Sequence, residues 1–238
     1  MEWSLQDGEL HVWRVALDEI SPSIEMRSAC LSPDERTRAT LYTAPLEQRR
    51  FITSRIVQRH VLAAYHGVPA VELPLAREPG GRPFIEGAER LFFSLSHSAG
   101  TAVIAVADIP VGVDVERVRR IARAAAIARR VLHPDTVAAL SMLPATERDR
   151  AFLDAWTQRE AHVKAVGGGL FQTPDALPFD PAQPADASVR GIISREDGAL
   201  WSAARFLPYP YARAAVVAPG GIRRIRIVDW HDLEPDRD

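Results

Sequence analysis

Apolar residues recur every three or four positions in two long segments of the chain, residues 45–65 and 148–166. This spacing is typical of amphipathic helices, and it also predicts a shorter helix at residues 122–131. A His-Gly-Val-Pro sequence from His66 ends the first long helix, and three successive glycines from Gly167 end the second. Each half of the chain therefore contains one long predicted helix.

Apolar runs, some of them alternating with polar residues, predict strands in much of the remaining chain. These predicted strands are residues 10–17, 91–95, 101–107, 111–115, 189–193, 201–207, 212–217 and 222–228. Strands and helices mix without regular β–α–β alternation, so the pattern favours an α+β fold over a doubly wound parallel sheet. Because a long helix followed by several strands occurs twice, the sequence predicts two similar α+β subdomains, residues 1–109 and 110–238.

Composition places the chain among ordinary folded proteins. Its 238 residues are 47% hydrophobic and 25% charged, which excludes collagen-like, low-complexity and disordered classes. No apolar run approaches the ~18 residues of a membrane span, and the acidic start without an apolar core predicts no signal peptide. A net charge of −2 argues against a nucleic-acid-binding protein. The single cysteine, Cys30, excludes an internal disulfide and fits a reducing cytoplasm.

The basic residues are very unevenly divided, because 28 are arginine and only Lys164 is lysine. Codon bias explains such a ratio, since a surface lysine is replaced by arginine at little cost. A position that keeps lysine can require a compact ammonium group that exchanges a proton, which guanidinium does not supply. The alternative is a single remaining lysine on a solvated face.

Two carboxylates share one face of the strand predicted at residues 111–115 and its continuation. Valines alternate there with Gly112, Asp114 and Glu116, which predicts the valines in a core and both carboxylates on the opposite face. The two Cα atoms would lie roughly 7 Å apart, so both carboxylates can reach one cation. Gly112 would leave room for a ligand to approach the backbone. An ordinary exposed strand face is the alternative.

Trp156, Glu160 and Lys164 form one stripe of the second long helix, because they are spaced four residues apart. A carboxylate beside an indole, with an ammonium group one turn further on, suits an anionic substrate next to a metal ion. The alternative is a surface ion pair between Glu160 and Lys164 worth ~0.3–0.5 kcal/mol. That pair would not explain the tryptophan.

Two further segments contain groups that can bind phosphate. Ser96 and His97 belong to a Ser-Leu-Ser-His-Ser sequence predicted between two strands, where both can donate to phosphate oxygens, although a structural histidine is the alternative. A serine hydrolase is not supported, because no glycine precedes these serines as the G-x-S-x-G elbow requires. The Gly-rich turn at residues 78–83, with Arg77 before it, is a candidate anion-binding loop. The basic residues of the first long helix are interpreted as a solvated face; they are Arg49, Arg50, Arg55 and Arg59.

Together these groups predict a pocket with carboxylates for Mg²⁺ and basic side chains for phosphates. The sequences at residues 81–83 (GRP), 93–98 (FSLSHS), 111–116 (VGVDVE) and 152–170 (FLDAWTQREAHVKAVGGGL) also resemble, in order and spacing, a known family. That family is the 4′-phosphopantetheinyl transferases of the surfactin-synthetase-activating type. The resemblance covers about residues 77–170 and implies two pseudo-symmetric α+β halves in one chain. Arginine stands at positions 82 and 159, where the family usually has lysine, so the charge is kept.

The resemblance implies roles for individual residues. Asp114, Glu116 and Glu160 would bind Mg²⁺, with Mn²⁺ as an alternative, together with the pyrophosphate of coenzyme A. His97 would contact that pyrophosphate, and Lys164 would bind the phosphate that is transferred. Glu160, Lys164 and His97 are therefore the implied catalytic residues.

The same resemblance implies further contacts with coenzyme A. Ser96 would lie beside the pyrophosphate. The Gly-rich turn would meet the adenosine 3′-phosphate through Gly81, Arg82 and Pro83, with Arg77 adding to them. Arg38 falls near an upstream basic residue of the family and is a looser candidate for the same phosphate.

The implied activity is transfer of the 4′-phosphopantetheine arm of coenzyme A, the co-substrate, to a serine of acyl or peptidyl carrier protein domains, with release of adenosine 3′,5′-bisphosphate. Serine is a poor nucleophile at its own pKa, so a base is needed, and Glu160 is the candidate, directly or through a metal-bound water. The expected protein is a cytoplasmic monomer that binds neither nucleic acid nor membrane. Two alternatives are a Mg²⁺-dependent nucleotide phosphohydrolase and a non-catalytic module that binds coenzyme A or a carrier domain.

Overall fold

The computed structural model describes residues 3–19, 22–168 and 175–233. The helices in these residues are α1 (Pro33–Ala39), α2 (Pro45–His66), α3 (Ala124–Val131), α4 (Pro134–Met142) and α5 (Ala145–Val166), with 3₁₀ helices at Pro22–Cys30 and Trp230–Leu233. The strands are β1 (Glu9–Ala16), β2 (Leu75–Arg77), β3 (Pro83–Ile85), β4 (Phe92–Ser98), β5 (Thr101–Ala107), β6 (Gly112–Arg117), β7 (Arg190–Ile193), β8 (Leu200–Phe206), β9 (Ala212–Pro219) and β10 (Arg224–Asp229). No helix of the described chain is long and apolar enough to cross a membrane.

Two four-stranded sheets form the centre of the molecule. Their strand orders are β10-β1-β5-β4 and β6-β9-β8-β7, and β2 and β3 form a separate hairpin. Neighbouring strands are antiparallel, apart from β1 and β10, which are parallel with Glu9 opposite Arg224. The first sheet therefore contains strands from both ends of the described chain.

The sheets are layered between the two long helices. Ile104 and Val106 of β5 pack with Ile56 of α2. On the other face of β5, Val103, Ala105 and Ala107 pack against the second sheet. Helix α5 covers the outer face of the second sheet, where its Ala161 packs on β8 and β9. Strand β5 is buried on both faces, which explains why its sequence is a continuous apolar run.

The two halves have the same connectivity. In each half a strand leads to a 22-residue helix, α2 or α5, and two later strands complete a three-stranded antiparallel unit. Both helices end at a glycine in the left-handed conformation, Gly67 with φ 75° and Gly167 with φ 78°. The α+β class with two pseudo-symmetric halves is confirmed. The boundary between residues 109 and 110 stays a prediction, and a cut there would remove β10 from the sheet that contains β1.

Several short elements were not predicted from the sequence, and one motif was predicted in the wrong place. Helix α1 was not predicted because its charged sequence has no apolar periodicity. Its signal is a capping box, in which Ser32 Oγ accepts from Glu35 N at 3.2 Å and Ser32 N donates to the Glu35 carboxylate at 2.9 Å. Helix α4 and the hairpin of β2 and β3 were not predicted either.

Two motifs differ from their predicted placement or extent. The Ser-His-Ser sequence lies within β4 rather than between strands. Gly169 and Leu170 of the last motif lie outside the described residues.

Helix α5 lies directly on β6 at Gly112. A Cβ atom at this position would lie 1.9 Å from the carbonyl oxygen of Ala161 and 2.5 Å from the backbone nitrogen of Ala165. The interpretation of Gly112 as room for a ligand is therefore wrong, because the glycine makes room for the backbone of a helix.

We expect Gly112→Ala to destabilise the protein by about 3 kcal/mol, because the added carbon overlaps backbone atoms that cannot move aside. For a chain of this size the melting temperature should fall by roughly 6–12 °C in thermal unfolding. Gly80→Ala is the matched control, since no atom lies within 4 Å of a Cβ built there. Equal melting temperatures for the two variants would contradict the assigned packing.

Candidate active site

Strands β4 and β6 are edge strands of the two sheets, and a row of serine hydroxyls joins them. Alternate residues of β4 point to the same side, so its three serines all face β6. We call these contacts the serine seam: Ser94 Oγ accepts from Val113 N at 3.1 Å, Ser96 Oγ donates to Asp114 Oδ1 at 2.8 Å, Ser98 Oγ donates to Glu116 Oε2 at 2.9 Å, and Ser98 Oγ accepts from Arg117 N at 3.1 Å. The seam fixes both carboxylates of β6 relative to the first sheet.

Lys164 reaches β6 from the last turn of α5. Its Nζ donates to Asp114 Oδ1 at 2.7 Å and to the carbonyl oxygen of Val113 at 3.0 Å. The ion pair of this lysine is therefore with Asp114 on another element, and the alternative of a surface pair with Glu160 is wrong. The contact depends on the close packing of α5 at Gly112, which places the end of the helix over the strand.

The three predicted metal ligands influence one another electrostatically. Burial raises the pKa of both Glu116 and Glu160, and the negative charge of Asp114 raises each of them further. Asp114 is buried, and its Oδ2 has no hydrogen-bond partner among the described residues. A buried carboxylate oxygen without a partner, near two carboxylates that repel it, has the donor chemistry that a hard divalent cation needs.

The carboxylates are not arranged as a finished ligand set. Within the described ranges, no three His, Cys, Asp or Glu side chains converge closely enough to hold a metal ion as they stand. Asp114 is instead held by Lys164 and Ser96 on its other oxygen. The predicted triad of Asp114, Glu116 and Glu160 therefore fits a cation in its chemistry, and the metal site stays a prediction.

Two adjoining clefts share part of their walls, and Lys164 lines the first of them. The first has a volume of about 300 Å³. Its wall contains five residues that the sequence predicts in the site, Arg77, Gly81, Arg82, Pro83 and Lys164. The second has a volume of about 350 Å³ and contains Arg38. Four residues line both clefts: Arg55, Gln58, Arg77 and Pro83. The clefts therefore form one continuous, arginine-rich surface that begins at the lysine.

Arg82 connects the turn between β2 and β3 to the end of α5. Its Nη1 donates to the carbonyl oxygen of Ala165 at 3.4 Å, while Nη2 is buried without a hydrogen-bond partner in the part of the chain that the structure describes. Gly81, with φ 85°, forms the turn itself, and its carbonyl oxygen accepts from Arg77 at 2.9 Å. Arg82 thus lines the first cleft while one of its guanidinium nitrogens has no partner among the described residues.

His97 lies on β4 between two seam serines and is exposed, whereas Ser96 is buried with its hydroxyl on Asp114. Partial desolvation lowers the pKa of His97, and the nearby charges of Arg55 and Lys164 lower it further. The sign of this shift keeps the imidazole neutral at pH 7. A neutral ring can donate one hydrogen bond and accept another.

The arginines of α2 correct one interpretation and add residues to the site. Arg55 donates to Gln58 Oε1 at 2.6 Å in the cleft wall, and Arg59 is buried in an ion pair with Glu35 at 2.7 Å. The interpretation of this basic face as solvated is therefore wrong for Arg55 and Arg59. The ion pair of Arg59 was not predicted, because Glu35 lies on α1, which the sequence pattern did not predict.

Comparison with known proteins places both halves in one family. A family described as 4′-phosphopantetheinyl transferase, N-terminal, matches residues 17–109, and the 4′-phosphopantetheinyl transferase superfamily matches residues 110–218.

Similar proteins include three bacterial relatives. 4′-Phosphopantetheinyl transferase HetI of Nostoc sp. strain PCC 7120 is 29% identical over 222 residues, which is 91% of this chain and 90% of that protein. 4′-Phosphopantetheinyl transferase psf-1 of Bacillus pumilus is 29% identical over 62% of each chain. 4′-Phosphopantetheinyl transferase Sfp of Bacillus subtilis strain 168 is 23% identical over 63% of this chain and 64% of its own. With both halves matched, the chain belongs to the 4′-phosphopantetheinyl transferase superfamily.

Proposed function

We propose that the protein transfers the 4′-phosphopantetheine arm of coenzyme A to a serine of an apo acyl or peptidyl carrier protein domain, in a Mg²⁺-dependent reaction that releases adenosine 3′,5′-bisphosphate. The observation that carries the proposal is the position of Asp114. This buried carboxylate has one oxygen held by Lys164 and Ser96 and the other without a partner in the described chain. The same Lys164 lines the arginine-rich first cleft.

The adjoining clefts suit a ligand with separated phosphates. Coenzyme A carries a pyrophosphate and a 3′-phosphate, and guanidinium groups bind such oxygens strongly. We assign Arg82 and Arg77 to the 3′-phosphate, with Gly81 and Pro83 shaping the turn, because Arg82 has a buried nitrogen without a described partner. Arg38, in the second cleft, is the looser candidate for the same phosphate.

Lys164 and His97 are assigned to the phosphates near the bond that breaks. Lys164 joins the carboxylates to the first cleft, since its ammonium contacts Asp114 and its side chain lines the cleft wall. Its positive charge favours the phosphoryl group that moves, and neutral His97 donates a hydrogen bond to the same pyrophosphate. Ser96 contributes indirectly, because its hydroxyl donates a hydrogen bond that holds Asp114.

Asp114, Glu116 and Glu160 are the residues that would hold Mg²⁺, with Mn²⁺ as an alternative. When bound, such a cation supplies neutralisation of negative charge on the phosphate oxygens. The carrier serine oxygen forms a bond to the β-phosphorus while the bond to the adenosine-side phosphate breaks, and the serine proton must leave. Glu160 is assigned as the acceptor of that proton; in the protein without a cation, burial and the charge of Asp114 raise the pKa of its carboxyl group.

The proposal is tested by incubating the protein with coenzyme A, Mg²⁺ and a panel of apo carrier domains. Intact-mass measurement should show carriers that gain one phosphopantetheine arm, and adenosine 3′,5′-bisphosphate should form in equal amount. Release of inorganic phosphate without a carrier would instead favour a phosphohydrolase. Binding of coenzyme A with no product of either kind would favour a non-catalytic module.

We expect Asp114→Asn to lower kcat/KM for carrier modification by about 100-fold or more, which corresponds to the loss of ~3 kcal/mol of charge stabilisation. The amide oxygen still accepts from Ser96 and Lys164, so the melting temperature should change little. Glu72→Gln makes the same chemical change at an exposed site and should be fully active. Wild-type turnover by Asp114→Asn would remove Asp114 from the proposed metal site.

We expect Lys164→Arg to lower kcat by at least about tenfold. The planar guanidinium cannot occupy the compact position between Asp114 and the carbonyl of Val113, and a ~1 Å displacement near reacting atoms can cost about 100-fold. Arg90→Lys exchanges the same two side chains in an exposed ion pair and is the control. If both variants turn over carrier at the wild-type rate, the proposed role of the lysine is wrong.

A further inference from the structure

The serine seam has two kinds of hydrogen bond, which differ in whether the partner of the serine is a backbone N–H or a carboxylate. Ser94 accepts a hydrogen bond from a backbone N–H, as an ordinary strand contact would. Ser96 and Ser98 instead donate to one oxygen each of Asp114 and Glu116. A connection between two sheet edges needs only bonds of the first kind.

The geometry of Ser98 fixes the direction of its proton. Its oxygen accepts from the backbone N–H of Arg117, and its hydroxyl hydrogen is directed to Glu116 Oε2. A hydroxyl has a single proton to donate, so this arrangement commits it to the carboxylate. The ion pair between Glu116 and Arg119, at 4.0 Å, falls on the same Oε2. Contacts of the described chain therefore concentrate on one oxygen of Glu116.

Asp114 shows the same division between its two oxygens. Ser96 and Lys164 both bind Oδ1, at 2.8 Å and 2.7 Å, and the buried Oδ2 has no hydrogen-bond partner among the described residues. A carboxylate held by one oxygen presents the other in a defined direction. Preorganised ligands of this kind lose less freedom when a cation binds.

We propose that Ser96 and Ser98 are positioning residues, each of which holds one oxygen of Asp114 or Glu116 from the opposite sheet so that the other oxygen is presented to a divalent cation. This inference rests on the proposed function, because it concerns the same two carboxylates. It gives the three serines different roles: Ser94 sets the register of β4 against β6, and the other two set the orientation of the carboxylates.

The test measures Mn²⁺ binding by the decrease of the free-ion signal in electron paramagnetic resonance, with coenzyme A present and no carrier protein. Ser98→Ala should weaken Mn²⁺ binding by about 10-fold to 100-fold, the usual cost of removing a group that orients a ligand. Ser98→Thr keeps the hydroxyl and should restore the affinity. Ser96→Ala should act in the same direction with a smaller effect, because Lys164 still holds Asp114.

Ser94→Ala is the matched control, since it removes a seam bond from the same strand without touching a carboxylate. It should lower the melting temperature and leave Mn²⁺ affinity unchanged. With carrier protein added, Ser98→Ala should lower kcat and leave the KM for the carrier near the wild-type value. A purely structural seam predicts instead that Ser94→Ala and Ser98→Ala behave alike in every measurement.

Wild-type Mn²⁺ affinity in Ser98→Ala would overturn the positioning role and leave the proposed function intact. No Mn²⁺ binding by the wild-type protein, with carrier modification still observed, would overturn both the metal assignment and the positioning role. Weakened binding in Ser98→Ala with recovery in Ser98→Thr supports the proposal.

Discussion

The contact between α5 and β6 at Gly112 is the constraint on which the candidate site depends. Because residue 112 has no side chain, the backbone of α5 lies against the strand at Ala161 and Ala165. Lys164 lies between these two alanines in the chain, and its ammonium group reaches Asp114 and the carbonyl of Val113. A helix held one side-chain layer further away could not place a lysine of this length on the same atoms.

Charge is separated across this contact. The carboxylates lie on β6 and α5, whereas arginines from α2 and the turn between β2 and β3 line the adjoining clefts. Lys164 lies between the carboxylates and the arginines, since it pairs with Asp114 and also lines the first cleft. An ammonium at this boundary partly offsets the repulsion among the carboxylates and extends the positive surface of the cleft. The net charge of −2 conceals this local arrangement.

Local pattern predicted much of the fold, because alternation and helical spacing depend on neighbouring residues. The valines at 111, 113 and 115 were expected in a core, and they are buried between the sheets. The true neighbour of Gly112 could not be predicted, since it depends on how α5 packs, some 50 residues along the chain. Arg59 was misassigned for a related reason: its partner Glu35 lies on α1, whose charged sequence has no apolar period. Tertiary contacts, rather than local preference, decided both cases.

The parallel pairing of β1 with β10 has a consequence for the order of folding during synthesis. Leu10 lies opposite Ile225, so this contact closes a loop that spans most of the described chain. The β1 edge of the first sheet therefore stays open while the ribosome makes the second sheet, and domains with such long-range contacts fold slowly. An unpaired strand edge in a nascent chain attracts other strands. Folding of the first half is thus completed only after the second half has been synthesised, which couples the two halves in time as well as in space.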